Sequence, residues 1–378
     1  MNGIPIARLF GFEIRLHPSW VVIVAIVTVL VVGQMEATAA GVPVALRWLT
    51  GGVVAAAFLL SVLAHELGHG VAGRRRGIDV GPITLYFFGG NPSFEAEAER
   101  PRDEVVVALA GPAVSLVIGS VLAIVGIVAS ESRLPLLDVV AGIALVLSVL
   151  NLVLAAANLV PAYPLDGGRV VRAVVWARTG DERRGSMAAA TSGRIVSWII
   201  VAVGVYVTLA GDMVDGLMVA LTGWFLGTAS RAIERRLAVQ DLLKDVHVGD
   251  VMERTVNSIT PNLTVDTFGD RLLDADAPSA LPVLRDDAIV GLVTASQVRK
   301  LRRRSWPTTR AEDLMLAPPA LPLLRVGDTL WSALDGLRRT GLDGLPVVEG
   351  AGLLGVITRR AILATIQQQA GIQGVSLR

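Results

Sequence analysis

The sequence predicts a multispanning α-helical membrane domain followed by a soluble α/β module. About six transmembrane helices, with a small β-hairpin or re-entrant strand, make up the first part. The first observation is composition: 53% of the 378 residues are hydrophobic, 18% are charged, and the mean hydropathy is +0.60, as in membrane proteins. The second is distribution, since charges are confined to short connectors up to about Arg236 and mix with apolar residues beyond it. The net charge of +1 gives no reason to expect a nucleic-acid partner.

Six apolar stretches are long enough, with some flanking residues, to cross a bilayer. They are Pro18–Val32, Leu49–Ala72, Val105–Ala129, Val139–Val160, Ser192–Ala210 and Met213–Thr228. We expect the first to be retained, because no apolar core with a small-residue cleavage site follows a basic start. The chain has no cysteine, which excludes disulfides and thiolate metal sites.

Arginines lie on one side of the predicted spans. They occur before span one, after span two, before span three, between spans four and five and after span six, whereas the opposite connectors hold only Arg47 and Arg133. The positive-inside bias therefore predicts a multi-pass protein of the cell membrane with both termini in the cytoplasm. The carboxy-terminal end of span two then lies towards the cytoplasm.

The segment Gly81–Arg102 has β-forming residues, a Gly-Gly pair and two prolines. This pattern favours a hairpin or re-entrant strand beside the helices, because irregular backbone at membrane depth needs protein or water around it. An ordinary surface loop is the alternative.

The second span contains "LAHELGHG" at residues 63–70. His65 and His69 are four residues apart and share one face of a helix, where both imidazoles can bind one ion. Glu66 can accept a proton from the water that such a metal activates, as in other HExxH sites. A pair of hydrogen-bonded core histidines is the alternative, but ionisable residues inside a bilayer helix are costly and mark functional sites.

A third protein ligand is expected, because a catalytic zinc has three protein ligands and one open position. The segment "NLVPAYPLDGGR", residues 158–169, ends span four. Pro161 and Pro164 break the helix, and Gly167 and Gly168 allow close approach of backbone. Asp166 precedes these glycines on the same side of the membrane as both histidines, which favours a metal ligand over a plain turn.

Together these two motifs resemble the signatures of the site-2 protease family, the intramembrane zinc metalloproteases of peptidase family M50: HExxH and N-x-x-P-x-x-P-L-D-G. The resemblance covers the membrane part of the chain. It implies one Zn²⁺ per chain held by His65, His69 and Asp166, with Glu66 as the catalytic base. It also implies that Asn158 helps to hold the substrate or the developing oxyanion.

Two further segments resemble this family. "FFGG", residues 87–90, is similar to the strand that pairs with an extended substrate, which implies substrate binding at Gly89 and Gly90 by β-addition. "AGPAVS", residues 110–115, is similar to the Gly-Pro segment of the third span. Many members have asparagine where this chain has Ser115, so we assign no polar role to Ser115.

Two polar residues at the predicted cytoplasmic edge leave alternatives open. His17 borders the mouth of the active site, or it is an interfacial histidine beside Trp20, which we favour. Arg169 pairs with a carboxylate near the site, or it marks the edge of the membrane, and again we favour the second.

Beyond Lys244 the chain repeats itself at an offset of about 64 residues. "VGDVM" at 248–252 corresponds to "AEDLM" at 311–315, and "LPVLRDDAIVGLVT" at 281–294 corresponds to "LPVVEGAGLLGVIT" at 345–358. Each copy predicts an initial segment, a helix, two strands and a second helix. The copies resemble a tandem pair of CBS domains, which implies one module with a cleft between them. The predicted boundaries are 1–236 for the membrane domain, 237–247 for a linker, and 248–307 and 308–370 for the CBS repeats.

In other CBS proteins the cleft often binds adenosine nucleotides. Copies that hold a ribose commonly carry aspartate three residues after the Ser or Thr that closes the second strand, where this chain has Gln297 and Ala361. We therefore do not expect an adenosine nucleotide at the CBS cleft. A platform for homodimerisation or docking is the alternative role.

The leading hypothesis is an intramembrane zinc metalloendopeptidase that cuts transmembrane protein substrates in the lipid bilayer, with activity modulated by the cytoplasmic CBS pair. One alternative is a catalytically silent scaffold that binds transmembrane helices, but the complete set of ligands and base argues against it. The other is a CBS-regulated transporter, which leaves HELGH and LDGG unexplained.

Overall fold

The chain folds into two compact units, Met1–Glu234 and Arg235–Arg378. The structure is a computed structural model that describes residues 3–38, 41–86, 89–94, 98–132, 134–254, 257–274, 280–286, 288–350 and 352–373. Each unit has its own buried core, so each is described by itself.

The first unit is a helical bundle. Its helices are α1 (Trp20–Thr38), α2 (Val44–Arg75), α3 (Pro101–Ser130), α4 (Pro135–Asn158), α5 (Asp166–Thr179), α6 (Glu182–Leu209) and α7 (Met213–Leu243), the last of which ends in the second unit. All of these except α5 are long and apolar enough to cross a membrane. The prediction of six spans is therefore confirmed for the described part of the chain.

The ends of the spans differ from the prediction. Helix α2 has 32 residues, about 48 Å at 1.5 Å per residue, whereas the hydrocarbon layer is about 30 Å thick. Helix α7 continues to Leu243, so residues 237–243 of the predicted linker are helical. Hydropathy marks only the part of a helix that lies in lipid, while backbone hydrogen bonding continues into polar surroundings.

A four-stranded sheet lies beside the helices. Its strands are β1 (Ile4–Leu9), β2 (Phe12–Leu16), β3 (Val80–Tyr86) and β4 (Gly89–Phe94), in the order β1-β2-β3-β4. The β1–β2 and β3–β4 pairs are antiparallel hairpins, and β2 pairs with β3 in parallel. The predicted hairpin after span two is confirmed as β3 and β4. The first hairpin is an addition to the prediction, because only the short alternation in "FEIRL" signals a strand there.

A buried apolar cluster ties this sheet to α2. Phe12 and Ile14 from β2 and Ile83 and Leu85 from β3 pack together with Val62 of α2. The sheet therefore lies along the carboxy-terminal half of the helix that carries HELGH.

The second unit contains both copies of the repeat. The first copy comprises α8 (Val248–Val251), α9 (Val265–Leu273), β5 (Ala280–Arg285), β6 (Ala288–Thr294) and α10 (Ala295–Lys300). The second comprises α11 (Ala311–Leu314), α12 (Leu330–Thr340), β7 (Gly344–Glu349), β8 (Gly352–Thr358) and α13 (Arg359–Gln373). The strand order β5-β6-β8-β7 joins the two hairpins through their second strands. The predicted order of helix, two strands and helix is confirmed in each copy.

Candidate metal centre

His65 and His69 meet on the face of α2 that points into the bundle. Both side chains are buried, with 2% and 3% of their surface exposed. Their Nε2 atoms are 3.2 Å apart, and the two rings pack edge to face. Both Nε2 atoms therefore point at the same spot.

Asp166 completes a triangle with the two histidines. It is the first residue of α5, which begins after the proline-containing loop that follows α4. Its Oδ2 atom lies 3.3 Å from Nε2 of His65 and 3.2 Å from Nε2 of His69. A tetrahedral zinc with bonds of roughly 2.0–2.1 Å separates its ligand atoms by about 3.3 Å. A zinc ion therefore fits among these three atoms.

The opposite ring nitrogens of both histidines are held by α3. Nδ1 of His69 lies 2.7 Å from the carbonyl oxygen of Val107 and, because a carbonyl only accepts, it donates its proton there. Nδ1 of His65 lies 2.9 Å from Oγ of the fully buried Ser115. The carbonyl fixes the tautomer of His69, and the Ser115 hydroxyl can accept from Nδ1 of His65 when the Nε2 lone pair of that ring binds a metal. The sequence analysis assigned no polar role to Ser115, whose hydroxyl nonetheless contacts a residue fifty positions away in sequence.

The three facing atoms are electron-pair donors. Oδ2 of Asp166 faces the two Nε2 atoms and has no other partner among the residues that the structure describes. Burial acts to raise the pKa of Asp166, but the adjacent imidazoles outweigh it and hold that pKa below its ordinary value. The carboxyl group is therefore ionised at neutral pH, and a buried anion of this kind needs a cation.

One face of α3 supports the triangle. It presents a stripe with helical spacing, formed by Glu104, Val107, Gly111 and Ser115. A Cβ atom added at Gly111 would collide with Nε2 of His69 and lie 2.7 Å from Nε2 of His65. Glycine at this position leaves the space that the donor atoms occupy. Helical periodicity is the sequence signal for this stripe, but the spacing does not say which side of α3 meets α2.

The loop that carries Asp166 is tightly packed. A Cβ atom added at Gly167 would lie 2.6 Å from the carbonyl carbon of Leu159, and one at Gly168 would lie 2.6 Å from the backbone nitrogen of Tyr163. The glycines thus permit the close approach that the sequence predicts. The hydroxyl of Ser230, buried on α7, donates to the carbonyl oxygen of Tyr163 at 2.9 Å. Helix α7 therefore helps to hold the loop in place.

A charge cluster with buried Glu104 and Arg172 at its centre joins α3, α5 and α6. Arg172 of α5 lies 3.3 Å from the carboxylate of Glu104, which is 2% exposed, and 2.6 Å from the carboxylate of Glu182. Arg169 lies 3.9 Å from Glu104. Arg169 therefore pairs with a carboxylate close to the site, the alternative that the sequence analysis did not favour. The cluster anchors α5, whose first residue is Asp166.

The remaining predicted site residues lie in three places. Glu66 is buried on α2 beside His65. Asn158 is the last residue of α4, where its Nδ2 atom donates to the carbonyl oxygen of Leu154 at 3.0 Å. Gly89 and Gly90 begin β4 and pair with β3, while residues 87 and 88 of "FFGG" lie outside the described residues.

His17 lies beside the sheet. Its ring centroid is 5.3 Å from that of Tyr86 on β3, and Nδ1 is 2.8 Å from Oγ of Ser19. Its backbone nitrogen also donates to the carbonyl oxygen of Leu85 at 3.0 Å. These contacts give His17 a role in joining α1 to the sheet.

Comparison with known proteins agrees with this geometry. The model of peptidase family M50 matches residues 53–143 and 136–203, and the CBS domain model matches residues 248–304 and 311–368. The protein is thus a membrane-embedded zinc metalloprotease with paired CBS domains, and zinc is its metal.

Similar proteins extend over nearly the whole chain. Rip3 of Mycobacterium tuberculosis (strain ATCC 25618 / H37Rv), whose name describes a zinc metalloprotease, is 35% identical over 94% of this chain and 91% of that protein. The zinc metalloprotease MJ0392 of Methanocaldococcus jannaschii is 26% identical over 96% of this chain and 95% of that protein. A solved site-2 protease from Methanocaldococcus jannaschii is 25% identical, covering 61% of this chain and 94% of that one, with a TM-score of 0.38. The chain belongs to peptidase family M50, the site-2 proteases.

Proposed function

We propose that this protein hydrolyses peptide bonds of transmembrane protein substrates inside the bilayer. In this proposal His65, His69 and Asp166 hold the zinc and Glu66 is the general base. The observation that carries it is the triangle of buried donor atoms, 3.2 to 3.3 Å apart, at the end of a membrane-spanning helix.

The chemistry divides between the metal and the side chains. Zinc, when bound, acts as a Lewis acid that activates water and polarises the scissile carbonyl. The carboxylate of Glu66 accepts the proton of the attacking water and passes it to the departing amine nitrogen. One N–H of the Asn158 amide bonds to Leu154, and the proposal assigns the other to the carbonyl oxygen of the substrate.

The proposed substrate site is the edge of β4. A helical substrate has its carbonyls bonded within the helix, so cleavage needs an extended segment. Strand β4 is the last in the sheet order, so its outer edge pairs with no other strand of the part of the chain that the structure describes. A further strand could be added at that edge. Gly89 and Gly90 place no side chains along that edge, and an extended peptide can pair with it by β-addition.

We also propose that the CBS pair modulates proteolysis through α7. Ser230 on α7 holds the loop before Asp166 through the Tyr163 carbonyl. Further along the same helix, Leu242 and Leu243 are buried in the core of the CBS unit. A change in that core that shifts the end of α7 would alter the support of the Asp166 loop.

The same module is proposed as a platform for homodimerisation or docking rather than a nucleotide sensor. The side-chain oxygen of Gln297 accepts from the backbone nitrogen of Thr294 at 2.8 Å, and its nitrogen donates to Leu314 at 2.9 Å. The amide is engaged within the fold, which argues against a ribose contact there. Micromolar ATP binding to the full chain by calorimetry would contradict this part.

The proposed location is the cell membrane, with both termini in the cytoplasm. The support is the arginine distribution, which places the Arg74 end of α2 on the arginine-rich side. Water can reach a catalytic site near this end of α2 from the cytoplasm.

Co-expression with single-span membrane proteins tests the activity. We expect wild type and the exposed control Glu131→Gln to cut a substrate, Glu66→Gln to keep zinc without cutting, and His65→Ala to lose zinc. Cutting by Glu66→Gln at the wild-type rate would reject Glu66 as the base. If no membrane protein is cut differently by wild type and Glu66→Gln, the chain acts as a scaffold.

A further inference from the structure

The first hairpin exposes a group of apolar side chains that the metal site does not use. Ile4, Ile6 and Leu9 of β1 and Phe10 at the tip are 63%, 54%, 38% and 78% exposed. The register pairs Ile4 with Leu16 and Leu9 with Phe12, so these side chains lie on the same face of the sheet as the buried Phe12 and Ile14. This face is covered over β2, but it stays exposed and apolar over the edge strand β1.

The backbone conformation at the tip of this hairpin is unusual for an aromatic residue. Phe10 and Gly11 both have positive φ, 49° and 79°, as in the two-residue turns that favour Asn-Gly. The left-handed region is unfavourable for a bulky residue. A phenylalanine kept there with its side chain outside the fold suggests that the ring meets an apolar surface.

The tip is attached to the end of a membrane-spanning helix. Arg74, in the last turn of α2, donates to the carbonyl oxygens of Phe10 and Gly11 at 2.8 and 3.0 Å. Its guanidinium also lies 3.5 Å above the ring of Phe12. These contacts hold the tip of the hairpin beside the end of α2, and hence at the same depth in the membrane.

The length of α2 sets that level. Arg47 and Trp48 lie near its start, as side chains at a membrane interface do. About 20 residues cross the hydrocarbon layer, so α2 leaves it near Leu67. Arg74 lies about 10 Å further along the helix, at the depth of the headgroups. The base of the hairpin, where Ile4 pairs with Leu16, runs back towards α1 and hence towards the lipid.

We propose that the β1–β2 hairpin docks on the bilayer: Ile4, Ile6 and Phe10 enter the boundary between headgroups and acyl chains, and Arg8, Arg74 and Arg75 contact anionic headgroups. Apolar insertion combined with basic side chains is the usual basis of interfacial binding.

Another strand is a poor occupant of this edge. Pro5 lacks a backbone N–H, and the register shifts between Pro5 and Ala7. Prolines and bulges are the devices by which edge strands avoid pairing. The bilayer therefore suits the patch better than a β-strand from a partner.

Fluorescence quenching by lipids tests the docking. The chain has no native cysteine, so Ile6→Cys and Phe10→Cys each carry one environment-sensitive probe on the full-length protein in vesicles. Leu363→Cys on α13 of the CBS unit is the control for a probe surrounded by water, and Ile124→Cys on α3 is the control for a probe surrounded by lipid. Both positions are exposed. Zinc content verifies that each variant is folded.

The proposal predicts a depth order. Acyl-chain nitroxides should quench the probe at position 6, and headgroup nitroxides the probe at position 10. Each should be quenched at least about twofold more than the probe at position 363, because interfacial elements insert about 5–10 Å. Replacing about a third of the phosphatidylcholine by phosphatidylglycerol should strengthen quenching at position 10, since each basic side chain near an anionic surface adds attraction.

Two results would overturn the proposal. One is quenching at positions 6 and 10 that does not exceed that at position 363. The other is efficient disulfide formation between two copies of unlabelled Phe10→Cys without lipid quenching, which would mean that a second copy of the chain covers the patch.

Discussion

Replacing Ser115 with alanine is expected to weaken zinc binding by roughly 10- to 100-fold, the usual cost of losing an outer partner of a metal ligand. The hydroxyl of Ser115 lies 2.9 Å from Nδ1 of His65 and is fully buried. With zinc on Nε2 the proton of His65 lies on Nδ1, and alanine leaves no group there for that proton to bond, so the imidazole loses the contact that orients it.

The size of the effect follows from the buried contact. An unsatisfied buried donor costs about 1–3 kcal/mol, and about 1.4 kcal/mol corresponds to a factor of ten. Because water cannot replace the hydroxyl at a fully buried position, the loss should fall within this range. Ser115→Thr keeps a hydroxyl and should bind zinc more tightly than Ser115→Ala.

The assay is zinc content of the purified protein in a series of chelator-buffered free zinc concentrations. The matched control is Ser120→Ala, which removes an exposed hydroxyl from the same helix. Equal affinity of wild type, Ser115→Ala and Ser120→Ala would refute the argument that Ser115 orients His65. Equal losses in both alanine variants would point to a general effect on α3 instead.

Three further predictions concern the same centre. Gly111→Ala should abolish zinc binding, measured by metal content, because the added Cβ intrudes on both Nε2 atoms. Arg172→Met should destabilise the protein by about 3–5 kcal/mol, measured by unfolding in detergent, because it leaves the carboxylate of Glu104 buried beside fewer positive charges. Removing zinc with a chelator should stop proteolysis and lower the thermal midpoint of unfolding, because the folded state then loses its bound ligand.

Each of these has a control. Gly142→Ala adds a methyl group where nothing lies within 4 Å, and zinc loss in that variant too would show a nonspecific effect. Glu104→Gln combined with Arg172→Met removes both charges and should recover part of the stability; an additive loss would contradict a direct pairing. Zinc, but not magnesium, should restore the chelated protein, since histidine nitrogen ligands suit zinc.

The sequence predicts those features that depend on local patterns. Apolar runs give the number of spans, "HELGH" places two imidazoles on one helix face, and the 64-residue offset reveals the repeat. The Gly-Gly pair indicates a hairpin after span two because such pairs permit tight turns, although Gly89 and Gly90 lie within β4 itself. Each of these signals can be recognised in the sequence without knowing which elements pack together.

Packing between distant elements decides the rest. That Asp166 comes within 3.3 Å of His65, that Ser115 and the Val107 carbonyl hold the two imidazoles, and that Gly111 clears their space depend on how α2, α3 and α5 meet. Helical periodicity defines faces, but it does not state which faces come together. The ligand types could be predicted because their chemistry is local, whereas the groups that orient them are chosen by tertiary contacts that no short stretch of sequence encodes.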